Sequence, residues 1–579
     1  MTTKTPKFNE ALDIILKDLI PHERVCLECK KSFKVEKEDI DFYKTLRVPP
    51  PKLCPKCRQV RRISMLMRVP KFFKRPCTAP GHSENIVTVF PPSSPHKIYD
   101  ANYWHSDAWD PASYGRQYDN GKRFFDQFKE LFFDVPHLPL ERDTTSLNSD
   151  YSLGGRFGKN NYYCAGGYRS EDCSFCLETR FSKLCVDCLN VWSSEFCYAC
   201  VGSDHCNRCT FVIDSTQCLN SAFLYDCKNC TNCFLSSNLR NKSFVFENKQ
   251  LTKEEYNVKL SESNLGDRKK FQEAISKFDE VFKNALHRSV LSTNAVNCVG
   301  DRVTNSKDCY FGFDGSEGEN LRFSEAFIGA KDSMDSSYIA EDDQHLYETL
   351  VSTCGSNILF SLYIRVGINI EYSSECYNCD NCFGCVGLKN KKFHIFNKPY
   401  SEEDYWKQID EIKYKMLNDG EYGELFPITF GLFPYQVCIS QKFYPIDEAT
   451  AKEKGIPWYD EPDSQIPQNI RLRDPFKEVP NNIKDVDGSI LDDAIRCKIT
   501  GRPFRIAAEE LKFYRHMNLP VPTKHPWQRI VERFSFQHPV ELFDFVCPNC
   551  GEKSFCIYNE EKQKQFRIFC EKCYVKEIV

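Results

Sequence analysis

Four cysteines near the start of the chain have the residue type and the spacing of a zinc site. Cys26 and Cys29 form one CxxC pair, 24 residues follow, and Cys54 and Cys57 form a CPxC pair. Two such pairs on two tight turns can place four thiolates around one tetrahedral Zn²⁺ at about 2.3 Å per sulfur. Because four cysteines leave no open coordination position, the spacing predicts a structural site.

A second set of the same kind lies in the last part of the sequence. Cys547 and Cys550 form a CPxCG turn, and Cys570 and Cys573 form a second CxxC pair. Cys556 lies between the pairs on a predicted strand and is interpreted as a packing residue. The sequence therefore predicts about two structural zinc ions, in two zinc-ribbon modules.

Two weaker combinations could also hold a metal. Cys77 and His82 lie five residues apart in RPCTAPGHS, and Cys497 could act with His525. Each offers two ligands without a second pair, and half a site binds zinc poorly.

One segment of the sequence is strongly basic. From Lys44 to Arg75 there are eleven Lys or Arg and no acidic residue, in a chain whose net charge is −4. Seven of these side chains could meet the phosphates of a nucleic acid, with Phe72 and Phe73 stacking on bases. They are Arg58, Arg61, Arg62, Arg68, Lys71, Lys74 and Arg75. The alternative interpretation is a solvated, charge-rich strand pair whose aromatic side chains belong to the core.

Two polar clusters could carry enzyme chemistry. Parallel β-helices often use paired carboxylates on polysaccharides, by general acid and base catalysis. The candidates are Asp332, Asp335, Glu341, Asp342 and Asp343 in one cluster, and Trp104, His105, Asp107, Trp109 and Asp110 in the other. The simpler interpretation makes both clusters surface and loop-packing residues, and their roles stay open.

The remaining composition predicts a cytoplasmic protein. Residues 1–20 have the spacing of an amphipathic helix, with charges that break the apolar core of a signal peptide. No window approaches the roughly 18 apolar residues of a membrane span. In a reducing compartment, paired cysteines indicate metal more often than disulfides.

The elements that must position these residues are indicated by internal repeats. Between Cys164 and Cys233 all cysteines fall on one three-residue frame, and in rows of 21 residues Cys164, Cys185 and Cys206 stack in one column. A 21-residue period with small residues in columns predicts a parallel β-helix. The thiols could fill its interior as a ladder, or could form a metal array; the ladder is favoured because thiols are compact and readily buried.

Two further repeats extend this pattern. Residues 227–256 align without gaps with residues 376–405, at an offset of 149, and each copy ends in Thr or Ser before acidic residues, which is typical of a helix N-cap. Residues 26–58 align in the same way with residues 497–529, at an offset of 471. The later copy has Cys497, Thr500, His525 and Gln528 in place of the four cysteines, so it keeps the scaffold without the ligands.

The predicted fold class is mainly β with α, with two cysteine-rich parallel β-solenoids that have helical caps and are flanked by zinc-ribbon modules. The predicted units are an N-terminal helix and ribbon (1–76), an aromatic-rich connector (77–142), a first solenoid (143–251) with its cap (252–293), a second solenoid (294–400) with its cap (401–420), a Pro-rich connector (421–495), a degenerate ribbon-like repeat (496–535) and a C-terminal ribbon (536–579).

Several of these motifs together resemble one family. They are FYKTLRVPPPKLCPKCRQVRR, YWHSDAWDPASYGRQYD, FFDQFKELFFDVP, the cysteine-rich repeats, LKNKKFHIFNKPYSEEDY and FCEKCYVKEI. They are similar to multi-zinc-ribbon, cysteine-rich repeat proteins of ultrasmall candidate-phylum bacteria, with relatives in giant viruses. The resemblance covers nearly the whole chain, and no catalytic residues follow from it.

Three functions are compatible with the sequence. The favoured one is a non-enzymatic zinc-binding scaffold or binding protein, with protein or RNA as its partner. The second is an RNA- or ribosome-associated protein that uses the basic segment at 44–75. The third is a polysaccharide-active β-helix enzyme; no Gly-rich phosphate loop points to a nucleotide-dependent one.

Overall fold

The computed structural model of the chain describes residues 4–67, 71–141, 143, 145–340, 342–460, 467 and 469–578. Within these ranges the fold is mixed, with two long regions of parallel β-pairing and helices packed around them.

The helices lie mainly outside the paired regions. They are α1 (Pro6–Lys17), α2 (Lys37–Leu46), α3 (Pro55–Ile63), α4 (Ala101–His105), α5 (Phe124–Asp134), α6 (Lys253–Ser263), α7 (Arg268–Asn284), α8 (Glu402–Asn418), α9 (Ile439–Phe443), α10 (Glu448–Glu453), α11 (Ala508–His516), α12 (Pro526–Phe534), α13 (Glu560–Gln565) and α14 (Glu571–Ile578). The amphipathic pattern at the start of the sequence is confirmed by α1, which buries Phe8, Leu12 and Leu16.

The strands are β1 (His22–Val25), β2 (Ser32–Val35), β3 (Phe73–Pro76), β4 (Asn85–Thr88), β5 (Ser152–Leu153), β6 (Cys164–Ala165), β7 (Thr210–Ile213), β8 (Ala222–Tyr225), β9 (Thr231–Ser237), β10 (Ser243–Phe246), β11 (Lys249–Gln250), β12 (Leu286–Arg288), β13 (Val299–Thr304), β14 (Lys307–Ser316), β15 (Glu319–Arg322), β16 (Lys331–Ser337), β17 (Gln344–Leu350), β18 (Ser356–Leu359), β19 (Arg365–Glu371), β20 (Tyr377–Phe383), β21 (Lys392–Ile395), β22 (Lys398–Pro399), β23 (Leu472–Arg473), β24 (Ala494–Arg496), β25 (Pro503–Phe504), β26 (Phe543–Val546), β27 (Lys553–Cys556) and β28 (Arg567–Phe569).

The first paired region, residues 147–246, is called the first ladder. Over most of this region every third residue pairs in parallel with the residue twelve positions further on, for example Leu147 with Lys159, Lys159 with Glu171, and Glu171 with Lys183. The predicted parallel pairing is therefore present, but the predicted 21-residue period is wrong. Every cysteine from Cys164 to Cys233 falls on one three-residue frame, and a repeat length of any multiple of three aligns some of them in columns. The cysteine spacing alone therefore does not determine the repeat length.

Every third residue of the first ladder points inward. With the twelve-residue step, Cys164, Cys176, Cys188 and Cys200 stack in one column, and other columns mix cysteine with serine and valine. The residue before each inward one has positive φ, for example Asp172 at 54°. Asparagine and aspartate are common there because they tolerate the left-handed region better than most side chains.

The second paired region is a ten-stranded sheet, β13 to β22 in chain order, called the second ladder. Its strands pair in parallel except for β21 with β22. Most steps are of twelve residues, but Lys331 pairs with Gln344, thirteen positions on. Asp343 lies in that longer step, is buried, and accepts hydrogen bonds from the backbone N–H of Ala340, Thr353 and Gly355.

Two predicted helix starts are confirmed. Thr252 accepts a hydrogen bond from Glu255 N at the start of α6, in a capping box, and Ser401 accepts one from Asp404 N at the start of α8. Each of these helices follows a ladder, as the alignment of 227–256 with 376–405 predicts.

The two copies of the third repeat pack on different ladders. α3 of the first copy lies against β16 and β17, where Arg58 donates to Asp335 at 2.8 Å. α12 of the second copy lies against the first ladder, where Arg529 donates to Asp187, also at 2.8 Å. The last module is attached through β28, which pairs in parallel with β12.

Candidate metal centres

The first four-cysteine cluster is assembled by a hairpin and a helix start. Cys26 follows β1, its carbonyl accepts from Lys30 N, and Lys30 has a φ of 61°, which closes the tight turn that holds Cys29. Cys54 precedes α3, and Cys57 lies in the first turn of that helix. The four sulfur atoms lie within 4.8 Å of one another. Hydrogen bonding from Cys57 lowers the pKa of the Cys54 thiol to about 5, which favours the thiolate that a metal requires.

The second four-cysteine cluster repeats this construction. Cys547 follows β26, the turn closes through Gly551 with a φ of 74°, and Cys570 and Cys573 lie at the start of α14. Burial acts to raise the pKa of the Cys547 thiol, but backbone N–H groups, first that of Cys570, lower it to about 6. These four sulfur atoms also lie within 4.8 Å of one another.

Both clusters fit a zinc ion by their donor sets. Four sulfur ligands in a compact group match the tetrahedral coordination of structural zinc, and the ligands come from two turns in each case. Cys556, which lies between the pairs of the second cluster, is buried and its thiol donates to the carbonyl of Tyr558 at 3.2 Å. Its predicted packing role is therefore consistent with its position.

A third group of possible ligands is more complete than the sequence predicts. Cys77, His82 and Glu84 bring one ligand atom each within 4.8 Å of the others. His82 Nδ1 lies 2.6 Å from Glu84 Oε1, and the N–H groups of Ala79 and Asp100 point at the Cys77 sulfur. Glu84 was missed, although a carboxylate two residues after His82 is visible in the sequence.

The other weak combination gains no third ligand. Cys497 and His525 belong to no group of three ligands within the part of the chain that the structure describes. The ring of His525 instead accepts a hydrogen bond from Trp527 N and caps α12.

The cysteines of the ladders form cores. Thirteen of them, from Cys164 to Cys233, share one buried cluster with Val191, Val212, Leu224 and Val245. Their thiols donate to carbonyls within the ladder, as Cys176 does to Cys185 O at 3.3 Å. Burial raises the pKa of the Cys176 thiol well above its usual value, so this thiol is neutral. The favoured buried-ladder interpretation agrees with this geometry.

The basic segment does not form one open surface. Arg58, Arg61 and Arg62 are buried, and they make ion pairs with Asp335, Glu348 and Glu424 among others. These three arginines therefore cannot meet the phosphates of a nucleic acid in this fold, which corrects the sequence-based hypothesis for them.

The rest of the segment has mixed surroundings. Arg75 donates to the carbonyls of Pro91, Ser94 and His96, Lys71 lies over the ring of Phe73, and Lys74 is exposed. Arg68 lies outside the described residues. The two aromatic residues also have protein contacts, since Phe72 packs on Tyr151 and Tyr163 and Phe73 on Tyr459.

The described carboxylates of the acidic cluster have different surroundings. Asp335 and Asp343 are buried and hydrogen-bonded, Asp332 accepts from Asn320 at 2.7 Å, and Asp342 is exposed. Glu341 lies outside the described residues.

The second polar cluster is built into the surrounding structure. Trp104 is buried and donates to Pro136 O, and Trp109 donates to Trp104 O. Asp110 accepts from Ala112 N and pairs with Lys391 at 3.0 Å. Asp107 and His105 are exposed.

Comparisons with known proteins leave the chain without an assigned family. No family model and no curated protein matches it. Among the solved structures that match is a "putative acetyltransferase" from Desulfovibrio desulfuricans G20, which is similar over 45% of this chain and 68% of its own, at 11% identity and a TM-score of 0.10. That likeness carries no argument, and the family resemblance of the sequence stays a prediction. No helix among the described residues is long and apolar enough to cross a bilayer.

Proposed function

We propose that the chain is a non-enzymatic zinc-binding scaffold protein of the cytoplasm. In this proposal the two ladders are β-solenoids with helical caps, and structural zinc ions hold the ribbon modules that pack beside them. The observation that carries the proposal is the pair of four-cysteine clusters, each with its sulfur atoms already within 4.8 Å of one another.

The twelve-residue step supports the solenoid part of the proposal. In the first ladder the step of the parallel pairing is constant, and every third side chain points inward, so each repeat contacts mainly its two neighbours. Proteins built in this way offer long, rigid faces for binding other macromolecules. The ion pairs of Arg58 and Arg62 with Asp335 favour a protein partner over RNA, because they use the charges that would bind phosphate.

A cobalt-substitution experiment tests the structural role of the metal. The purified chain is expected to hold about two zinc ions, because two clusters have a complete set of four ligands. With Co²⁺ in their place, the absorption spectrum should show tetrahedral thiolate bands, and added azide or imidazole should not change it. A spectrum that shifts with either ligand would reveal an open coordination position and contradict the proposal.

A further inference from the structure

The internal duplication offers a direct comparison of two docked helices. In the first copy, Arg62 on α3 is buried and lies within 4 Å of the carboxylates of Asp335, Glu348 and Glu325. In the second copy the equivalent residue, at the offset of 471, is Arg533 on α12.

The first ladder has lost two of the three carboxylates. The residues that correspond to Glu325, Asp335 and Glu348 are found 148 positions earlier before the thirteen-residue step and 149 positions earlier after it. They are Leu177, Asp187 and Ala199. Asp187 is kept, and it forms its ion pair with Arg529 at 2.8 Å.

Arg533 is therefore a buried arginine without an ion pair. The residue is 7% exposed, and its side chain makes no hydrogen bond or salt bridge with any described residue, although the charge of Asp187 acts on it from beyond salt-bridge distance. Its guanidinium group lies over the ring of Phe211, 4.2 Å from the centroid, and Nε has no hydrogen-bond partner. A buried cation in this state is costly unless an anion completes it.

Arg533 lines a cavity of about 360 Å³ between the first ladder, α7 and residues 520–536. The volume lies within the range of about 300–1,000 Å³ that is usual for sites of small molecules. The walls are largely aromatic and apolar, with Tyr198 and Phe211 from the ladder and Phe271 and Phe278 from α7.

The other charged groups of this cavity already have partners or are exposed. Lys524 pairs with Glu532 at 2.6 Å, and Arg529 pairs with Asp187 and Glu510. Arg268 donates to the carbonyls of Pro475, Val479 and Pro480, and Asp279 is exposed. Among the described charged residues of this lining, Arg533 is thus the buried one whose side chain has neither a hydrogen bond nor an ion pair.

We propose that this cavity binds a small organic anion, with a carboxylate or phosphate group on Arg533 and an aromatic or aliphatic body between the phenylalanine rings. A planar guanidinium can bind either anionic group through two parallel hydrogen bonds. The site is separate from the metal clusters, so it does not depend on the zinc assignment.

Calorimetric titration of the full, zinc-loaded chain tests the proposal. The probes are benzoate and phenyl phosphate, with benzyl alcohol as the neutral analogue. We expect at least one anion to bind about tenfold more tightly than the alcohol, because a hydrogen bond to a charged group is roughly twice as strong as one between neutral groups. The stronger of the two anions identifies the class of the natural ligand.

Two variants locate the binding at Arg533. Arg533→Met removes the charge, and Ala199→Glu supplies the carboxylate that Glu348 provides in the other copy; each should weaken anion binding by about tenfold or more. Lys512→Met removes an equal charge outside the cavity and should leave binding unchanged, since Lys512 lies on the exposed face of α11, paired with Glu509. Zinc content and thermal midpoint are measured for each variant to confirm folding.

Three results would overturn the proposal. They are no measurable binding of either anion by the wild-type chain, equal binding of benzyl alcohol, or unchanged anion binding in a folded Arg533→Met or Ala199→Glu variant. The first two depend on the wild-type protein alone, so they decide the question even if both variants fail to fold.

Discussion

At the scale of single residues, the buried carboxylate of Asp335 has an unusually large role. It pairs with Arg58 at 2.8 Å and with Arg62 at 3.2 Å, and all three side chains are at most 1% exposed. The two guanidinium groups belong to α3, and they are stable in the interior only because carboxylates from the second ladder compensate their charge.

Replacing this carboxylate should therefore strongly destabilise the folded protein. Asp335→Asn leaves both arginines without their main partner, and we expect the free energy of unfolding in urea to fall by about 3–5 kcal/mol. Asp332→Asn, on the same strand and partly exposed, should cost less than about 1 kcal/mol. Equal effects of the two substitutions would show that the buried ion pairs do not hold α3 on the ladder.

Sequence reasoning identified Arg58 and Arg62 but not their role. The partners of Arg58 and Arg62 on the second ladder lie 277 and 273 positions away along the chain, and no local pattern indicates which carboxylates face which arginines. The eight cysteines of the two four-cysteine clusters could be found because each pair has a local CxxC spacing. In each cluster one pair lies on a tight turn closed by Lys30 or Gly551, and the other lies at the start of a helix. Ligand pairs have a local signature, and ion pairs between repeats do not.

At the scale of elements, serine and cysteine are interchangeable inside the ladder. Cys185 donates to Lys183 O and Ser194 O, two and nine residues away, and Ser182 makes the same two contacts with Arg180 O and Val191 O. A hydroxyl therefore satisfies the same carbonyls as a thiol.

This equivalence predicts a tolerant core. Cys185→Ser should change the free energy of unfolding by about 1 kcal/mol or less, whereas the larger Cys185→Leu should cost about 1–3 kcal/mol through overpacking. Both variants should keep the zinc content of the wild type. Loss of metal from Cys185→Ser would instead indicate that the ladder thiols are ligands.

The twelve-residue step shows what the sequence left undetermined about the ladders. The three-residue frame was visible because all thirteen cysteines obey it. The number of three-residue units in each step depends on pairings such as Tyr162 with Ser174, which involve residues of every type and leave no periodic composition. The Asn and Asp residues with positive φ also fall on a three-residue frame, so they do not indicate the length of the step either.

A histidine joins the two ladders. His538 lies between Asp301 at 2.7 Å and Asp214 at 3.2 Å, and it is buried. Burial and Arg302 act to lower its pKa, but the two carboxylates raise it to about 9. This imidazolium connects a residue of the first ladder to one of the second.

The stabilisation by the ion pairs of His538 has a defined pH dependence. Because the folded pKa is above the usual value of about 6.5, the stabilisation is complete below pH 6.5 and is lost as the pH rises through about 9. Wild-type stability should fall over this window relative to His538→Gln, by up to about 1.4 kcal/mol per pH unit, in urea unfolding followed at each pH. His205→Gln, at a mostly exposed histidine, serves as the control. If the free energies of unfolding of wild type and His538→Gln change in parallel with pH, the ion pairs of His538 do not stabilise the fold in this way.

At the scale of the whole molecule, we expect the two four-cysteine clusters to bind metal independently. They share no ligand, and they belong to modules near opposite ends of the sequence, one packed on the second ladder and one joined to β12. Loss of one ion should not release the other.

Single ligand substitutions test this independence. Cys29→Ser and Cys550→Ser should each lose about one zinc ion, and the double variant about two, because three thiolates bind zinc much more weakly than four. Native mass spectrometry gives the stoichiometry. Loss of both ions from one single variant would show that the clusters are coupled.

The first copy of the third repeat packs on the second ladder, and the second copy packs on the first ladder. This arrangement has a consequence for synthesis on the ribosome. Arg58 is made 277 residues before Asp335, and Asp187 is made 342 residues before Arg529. At about 5–20 residues per second, each group waits on the order of tens of seconds for its counterpart. During that time the growing chain carries unsatisfied charges and an uncovered ladder, so nascent-chain chaperones have a long interval in which to bind it.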